Sequence, residues 1–176
     1  MNEVQTQPAT NDAWGGADEV EVLTFALDGE VFALEAVLVQ EIMDLTTETA
    51  VPGAPAFVGS VINFRGKVIP LADLRAAFGL AAAEATIDSR IVVIETTVGG
   101  EAVLVGLRTD KVHEVTALIR ADREAPPSVG MRWRPEFIRC LVKRGGEFIV
   151  VPDLQAIFSH QHDGRSATGA PSSTHH

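Results

Sequence analysis

Gly59-Ser60-Val61-Ile62-Asn63-Phe64-Arg65-Gly66-Lys67 sets two glycines and a lysine in the order that a phosphate-cradling loop uses. Such a loop needs four residues between its glycines, and a Ser or Thr after the lysine to reach a metal ion. Here six residues separate Gly59 from Gly66, and Val68 follows Lys67. His113-Glu114 opens like a zinc-binding helix but has no second His one turn on. Cys140 is the single cysteine, so there is no Cys pair and no internal disulfide, which fits a reducing cytoplasm. It reads as a small apolar core residue in a strand. The chain has no tyrosine, and four of its five histidines follow Phe158. A nucleophile with a general base therefore has no evident seat. Carboxylate pairs can be found among 24 acids, but none has a diagnostic spacing. No catalytic residue, no metal site and no cofactor is expected.

What remains is a protein of surfaces, whose candidate groups are Arg65 and Glu41. Their placement depends on the stretch Phe57 to Gly79. An apolar run to Phe64 meets Arg65-Gly66, and a second apolar run leads from Lys67 to Leu71. Two β-rich runs separated by two residues, one of them Gly, predict a hairpin. Asp73 stands where a helix N-cap belongs, ahead of Leu74-Arg75-Ala76-Ala77-Phe78. Gly79 is placed to stop that turn.

A second copy lies eighty residues on, from Phe137 to Ser159. In register, Phe57 matches Phe137, Gly66 matches Gly146, and Asp73-Leu74 matches Asp153-Leu154. Ile69 matches Ile149, Phe78 matches Phe158, and Pro55 and Pro135 precede the copies at one offset. Internal self-similarity of this kind constrains topology. Gly66 and Gly146 are expected as structural turns, Asp73 and Asp153 as caps.

Earlier in each copy the pattern also repeats. Val20 to Leu27, Asp28-Gly29 and Val31 to Leu34 predict a hairpin, as do Ile91 to Thr97, Gly99-Gly100 and Ala102 to Leu107. Glu35 to Met43 places Val39, Ile42 and Met43 on one helical face. Asp110 to Val115 predicts a short helical turn, its Val112-x-Glu114-Val115 echoing Val39-x-Glu41-Ile42. Pro-bearing connectors, Thr46 to Ala56 and Arg120 to Trp133, then lead into the two later hairpins. Four or five short strands in about seventy residues suit a small closed barrel, which leaves no exposed edge. A barrel that small is marginal alone; two packed together share a core and leave a groove. The expected fold is all-β with short helices: two packed barrels, the first at 20–80 and the second at 88–160. Exchange of strands between them stays open.

The 176 residues allow one ordinary domain or two very small ones. A net charge of −10 argues against nucleic acid as a partner. No apolar run approaches the roughly 18 residues of a spanning helix, so no membrane insertion is expected. Residues 1–19 are polar and acidic, lack the pattern of a signal peptide, and are expected to be disordered. Trp14 is a lone aromatic among them. The tail, 161–176, is read as disordered as well.

At these residues the chain resembles the chemotaxis coupling protein (CheW) family. Val39-Gln40-Glu41-Ile42 resembles its V-x-E-I element, and Pro52 to Val58 its P-x-x-P connector. Val61 to Arg75 resembles its N-L-R-G-x-x-x-P-x-x-D-L-R signature, the most specific of the three. Phe64 replaces the usual Leu, and Gly59-Ser60 stands where the family commonly has Gly directly before the strand valine. The match spans roughly residues 20–160. The resemblance implies two SH3-like five-stranded β-barrels and a non-enzymatic adaptor. That adaptor would couple the cytoplasmic tips of methyl-accepting chemoreceptors to the regulatory domain of a chemotaxis histidine kinase. It would be cytoplasmic and recruited to membrane-associated receptor arrays. By matched position, Val39, Glu41, Ser60, Asn63 and Arg65 would border the receptor-facing groove, and apolar barrel ends would meet the kinase. An arginine at the hairpin tip and a glutamate on a short helix beside it can pair bidentately across that groove. Two alternatives stay open: an adaptor of the same family serving a non-motility array, and a small-molecule-binding β-barrel protein.

Overall fold

Twelve strands follow the hairpin signals. The computed structural model describes residues 16–125 and 133–167, with side chains as far as His160. The strands are β1 (Glu19–Leu27), β2 (Glu30–Glu35), β3 (Val39–Asp44), β4 (Thr49–Ala50), β5 (Ser60–Phe64) and β6 (Lys67–Ala72). After helix α1 (Leu74–Ala77) come β7 (Arg90–Val98), β8 (Glu101–Thr109), β9 (Lys111–Ile119), β10 (Arg123–Glu124), β11 (Ile138–Arg144) and β12 (Glu147–Pro152). Helix α2 (Leu154–Ala167) ends the described chain. It continues seven residues past the point where the sequence reading ends the ordered domain. Trp14 and the rest of residues 1–15, part of the second connector, and residues 168–176 lie outside the described residues.

The strands form two six-stranded sheets, ordered β10-β11-β12-β2-β1-β9 and β3-β7-β8-β6-β5-β4. Each strand of one sheet corresponds to the strand six places along the chain in the other. The repeat is therefore structural, and it is exchanged. Hairpin β1–β2 completes the sheet of β9 to β12, and hairpin β7–β8 completes that of β3 to β6. Two parallel pairings join the exchanged hairpins to their hosts, β2 with β12 and β6 with β8. The exchange left open for barrels at 20–80 and 88–160 is thus present: each barrel draws strands from both halves of the chain. Each also carries a sixth strand, the two-residue β4 or β10.

Two segments read as helical are strands. The physical reason is pairing: β3 lies along β7 and β9 along β1. Along β3, half-buried Val39, Glu41 and Met43 alternate with exposed Gln40, Ile42 and Asp44. An exposed Ile42 gave the window its helix-like spacing.

Each sheet curls round its own core. Val22, Ala33, Leu118, Cys140, Val142, Ile149 and Val151 fill one, so residues of the outer strand β9 and of β11 meet inside. Ile62, Phe64, Ile69, Leu71, Ile91 and Val93 fill the other. A larger third core lies between the sheets. There Phe57 packs on Phe158 at 5.2 Å between centroids, and Phe32 on Phe78 at 5.3 Å.

Both aspartates cap the helical turn that follows them, though on N–H groups one residue apart in the repeat. Asp73 Oδ1 accepts from the Arg75 N–H at 2.9 Å, and Asp153 Oδ1 from that of Ala156 at 3.0 Å. The Asp73 N–H donates to the Phe57 carbonyl, and the Asp153 N–H to that of Phe137, each at 2.8 Å. Asp73→Ala and Asp153→Ala are each expected to lower stability by about 1 kcal/mol in chemical denaturation.

One clasp has no counterpart in the repeat. Buried Arg75 grips Asp110 with Nη2 to Oδ2 at 2.5 Å and Nε to Oδ1 at 3.3 Å. Its Nη1 donates to the Ala81 carbonyl at 2.9 Å and lies 3.6 Å from Asp28 Oδ1. Asp110 also accepts from the Asp28 N–H at 2.8 Å. The tip of hairpin β1–β2 is thereby pinned to α1, which follows a strand of the other sheet. The hydrogen bond that Arg75 donates to Asp110 raises the Arg75 pKa, burial opposing it. A raised pKa in a cation means that its contribution is complete at neutral pH and is lost only in strong alkali. Asp110→Ala leaves a buried guanidinium underpaired and is expected to cost roughly 1–3 kcal/mol, measurable as a lower midpoint in urea.

Candidate protein-interaction site

The tip of hairpin β5–β6 places a charged side chain on strained backbone. Arg65 has φ 49° and Gly66 φ 80°. Two left-handed residues match a two-residue turn to the twist of its strands. At the matched tip of hairpin β11–β12 both residues are glycine, Gly145 and Gly146, at 58° and 82°. An L side chain in this region costs about 1–2 kcal/mol that glycine avoids. Asn63 offsets part of that cost, because its Oδ1 accepts from the Gly66 N–H at 3.1 Å. The Arg65 side chain is 71% exposed.

Arg65 has two partners. Its Nη2 lies 3.4 Å from Glu41 Oε2. Its Cζ stands 5.1 Å from the centroid of the Phe64 ring, so the aromatic in place of the family's usual Leu gives the guanidinium a face to rest on. The pairing with Glu41 is present, but it is a single contact rather than a bidentate one, and Glu41 sits on a strand rather than a helix. An exposed pair of this kind adds only about 0–1 kcal/mol to stability. β3 and β5 lie near opposite edges of their sheet, so only its curl brings the two side chains together.

A bulge in β3 shapes the surface beside them. Val39 pairs with Ile94 and Glu41 with Val93, which leaves Gln40 as an extra residue. Bulges re-aim side chains. Gln40 borders two depressions, one containing Arg65 and Lys67, the other containing Glu35 and Arg139. Glu95 and Ala102 also belong to both. A trough therefore runs from the Arg65 tip into the cleft between the two sheets.

Of the residues singled out from the sequence, Glu41 and Arg65 come into contact and Asn63 forms the tip between its strands. Val39 lies beside the bulge and packs against the central core. Ser60 stands at the opposite end of β5, where its Oγ donates to Glu48 Oε2 at 3.1 Å. Glu48 is in turn 3.8 Å from Arg108. Sequence reading missed the placement of Gln40, Glu35 and Arg139 beside this trough. Gln40 sits inside a recognised motif, but a bulge exists only relative to its partner strand. Glu35 and Arg139 are 104 residues apart, with no local signal joining them. Among the described residues, no group of three or more His, Cys, Asp or Glu is placed to hold a metal ion.

A family model described as a CheW-like domain matches residues 21–162. The chain belongs to the CheW-like domain family. The chemotaxis protein CheW of Rhizobium meliloti is 30% identical over 138 residues, covering 78% of this chain and 86% of the relative. That of Treponema pallidum is 28% identical over 148 residues, covering 81% and 84%. Among solved structures, the scaffolding protein TtCheW from Thermoanaerobacter tengcongensis superposes with a TM-score of 0.71 at 28% identity. The likeness covers 90% of this chain and 94% of that one. The two SH3-like barrels expected from the sequence are the fold of this chain, and its family is one of scaffolds rather than enzymes.

The strain at Arg65 has a direct consequence. Arg65→Gly relieves the left-handed side chain while losing a weak ion pair. Its melting temperature is expected to equal or exceed that of the unaltered protein, with stability changed by no more than about 1 kcal/mol. A large loss in calorimetry would make Arg65 a structural residue.

Proposed function

We propose that the protein is a cytoplasmic adaptor that couples chemoreceptor tips to the regulatory domain of a chemotaxis histidine kinase within membrane-associated arrays. Membership of the CheW-like family supports the adaptor role. The observation that carries the receptor contact is Arg65: an exposed cation kept at a left-handed position where the matched tip uses glycine. Backbone strain retained at an exposed, charged position points to function rather than to folding. Glu41 and Asn63 adjoin it, and Val39 beside the bulge and Ser60 at the far end of β5 extend the proposed receptor-facing surface.

The proposed kinase contact uses the outward faces of the two barrels. Ile42 and Val68 are 43% and 70% exposed on one sheet, and Val115 and Phe148 are 56% and 47% exposed on the other. Val68 and Phe148 hold matched places in the repeat. Matched apolar patches on opposite barrels suit end-to-end contacts with a domain of the same fold. No described helix is long and apolar enough to cross a membrane, so array recruitment in this reading runs through protein contacts. A small-molecule-binding barrel needs an enclosed cavity, whereas both barrel interiors here are filled by side chains.

The test measures binding of a chemoreceptor tip peptide and of the kinase regulatory domain from the same cell. Arg65→Ala and Glu41→Ala are each expected to weaken the tip peptide about tenfold while keeping kinase-domain affinity and melting temperature near those of the unaltered protein. Undiminished tip binding by both variants would remove these residues from the receptor surface.

A further inference from the structure

The inner end of the trough holds a second arginine–glutamate pair. Arg139 on β11 donates from Nη1 to Oε1 of Glu35, at the end of β2, at 2.9 Å. Their side chains are only 18% and 24% exposed. Arg139 Nε is shut off from solvent and has no hydrogen-bond partner among the described residues. A buried donor left unpaired costs about 1–3 kcal/mol, more for a charged group. The fold does not demand an arginine there, since the matched position eighty residues earlier is Gly59. Glu35 engages one Nη, whereas a carboxylate that grips a guanidinium bidentately can use Nε as well.

The surroundings suggest what would complete the pair. Leu38, Pro152 and Leu154 line this end of the trough, with Val37 79% exposed at its rim. Arg65 stands at the other end of the same trough, held by Glu41. An elongated groove with an apolar wall, one arginine toward each end and Glu95 between them fits an amphipathic helix whose carboxylates lie toward its two ends, beside its apolar stripe.

We propose that Arg139 is a second anchor for the docking helix. Glu35 holds the guanidinium in the unliganded protein. An Asp or Glu side chain of the helix then takes the Nε edge as the arginine turns from Glu35 into the trough. This inference rests on the receptor reading above and adds to it the chemistry of the partner: an acidic residue on the helix face that enters the cleft between the sheets. Glu35 is a competitor in this arrangement, so the two members of the pair have opposite effects on binding.

Titration calorimetry with a helical-hairpin peptide of a chemoreceptor tip from the same cell tests it, with the kinase regulatory domain as a control for folding. Arg139→Gln is expected to weaken the peptide about tenfold or more, the scale of one charged hydrogen bond. Glu35→Gln is expected to leave peptide affinity unchanged or raise it. One acid-to-amide change in the peptide should weaken binding to the unaltered protein and have no added effect on Arg139→Gln. If Arg139→Gln unfolds, the double variant with Glu35→Gln leaves no unpaired charge and serves instead. Equal losses from the two single changes would make the pair structural and overturn the anchor. Undiminished binding by Arg139→Gln would overturn it too, while leaving the receptor reading standing. No binding by the unaltered protein would overturn the receptor reading and the anchor with it.

Discussion

The structure depends on the strand pairings that set each hairpin into the other half's sheet: β1 with β9 and β2 with β12, β7 with β3 and β8 with β6. Each joins a hairpin from one half of the chain to a host sheet built largely by the other half. A sheet of four short strands has too little interior to stand alone. Completed by the foreign hairpin, each sheet curls round a filled core, and the exchange binds the two barrels into one unit. The third core, where Phe57 meets Phe158 and Phe32 meets Phe78, exists only because both exchanges have taken place. The Arg75–Asp110–Asp28 clasp adds a charged fastening at one side of this arrangement, and it belongs to one half of the repeat alone.

The same exchange makes the trough. Its floor includes Glu95 and Ala102 from hairpin β7–β8, and its inner end is built by β2, β11 and the start of α2. Neither barrel has this surface by itself. Duplication with exchange thus yields a scaffold with two related outer faces and a groove between the two sheets.

The Arg65–Glu41 pair is exposed and weak, and it sits on backbone that would be more comfortable as glycine. The Arg139–Glu35 pair is better sheltered but leaves a donor unused. Folding alone explains neither arrangement. The proposed recognition of a charged helix would account for both, since guanidinium groups gain most where water is excluded by a partner.

The sequence by itself determined the hairpin tips, the helix caps and the repeat. Glycine at left-handed positions and aspartate before a helical turn act through their immediate neighbours, so Gly66, Gly146, Asp73 and Asp153 could be placed from spacing alone. The motifs holding Glu41, and Asn63 with Arg65, were legible for the same reason: each is a contiguous stretch. The helical reading of Glu35 to Met43 and of Asp110 to Val115 failed because edge strands carry exposed apolar residues, and these imitate a helical stripe. Only the tertiary structure decided which hairpin completes which sheet. Intrinsic preference is identical for a hairpin paired with its own half or with the other; the choice rests on packing between residues far apart in the chain. Only the tertiary structure, too, put Gln40 on a bulge and Arg139 beside Glu35. A bulge is defined by a partner strand, and a contact across 104 residues leaves no mark on local sequence.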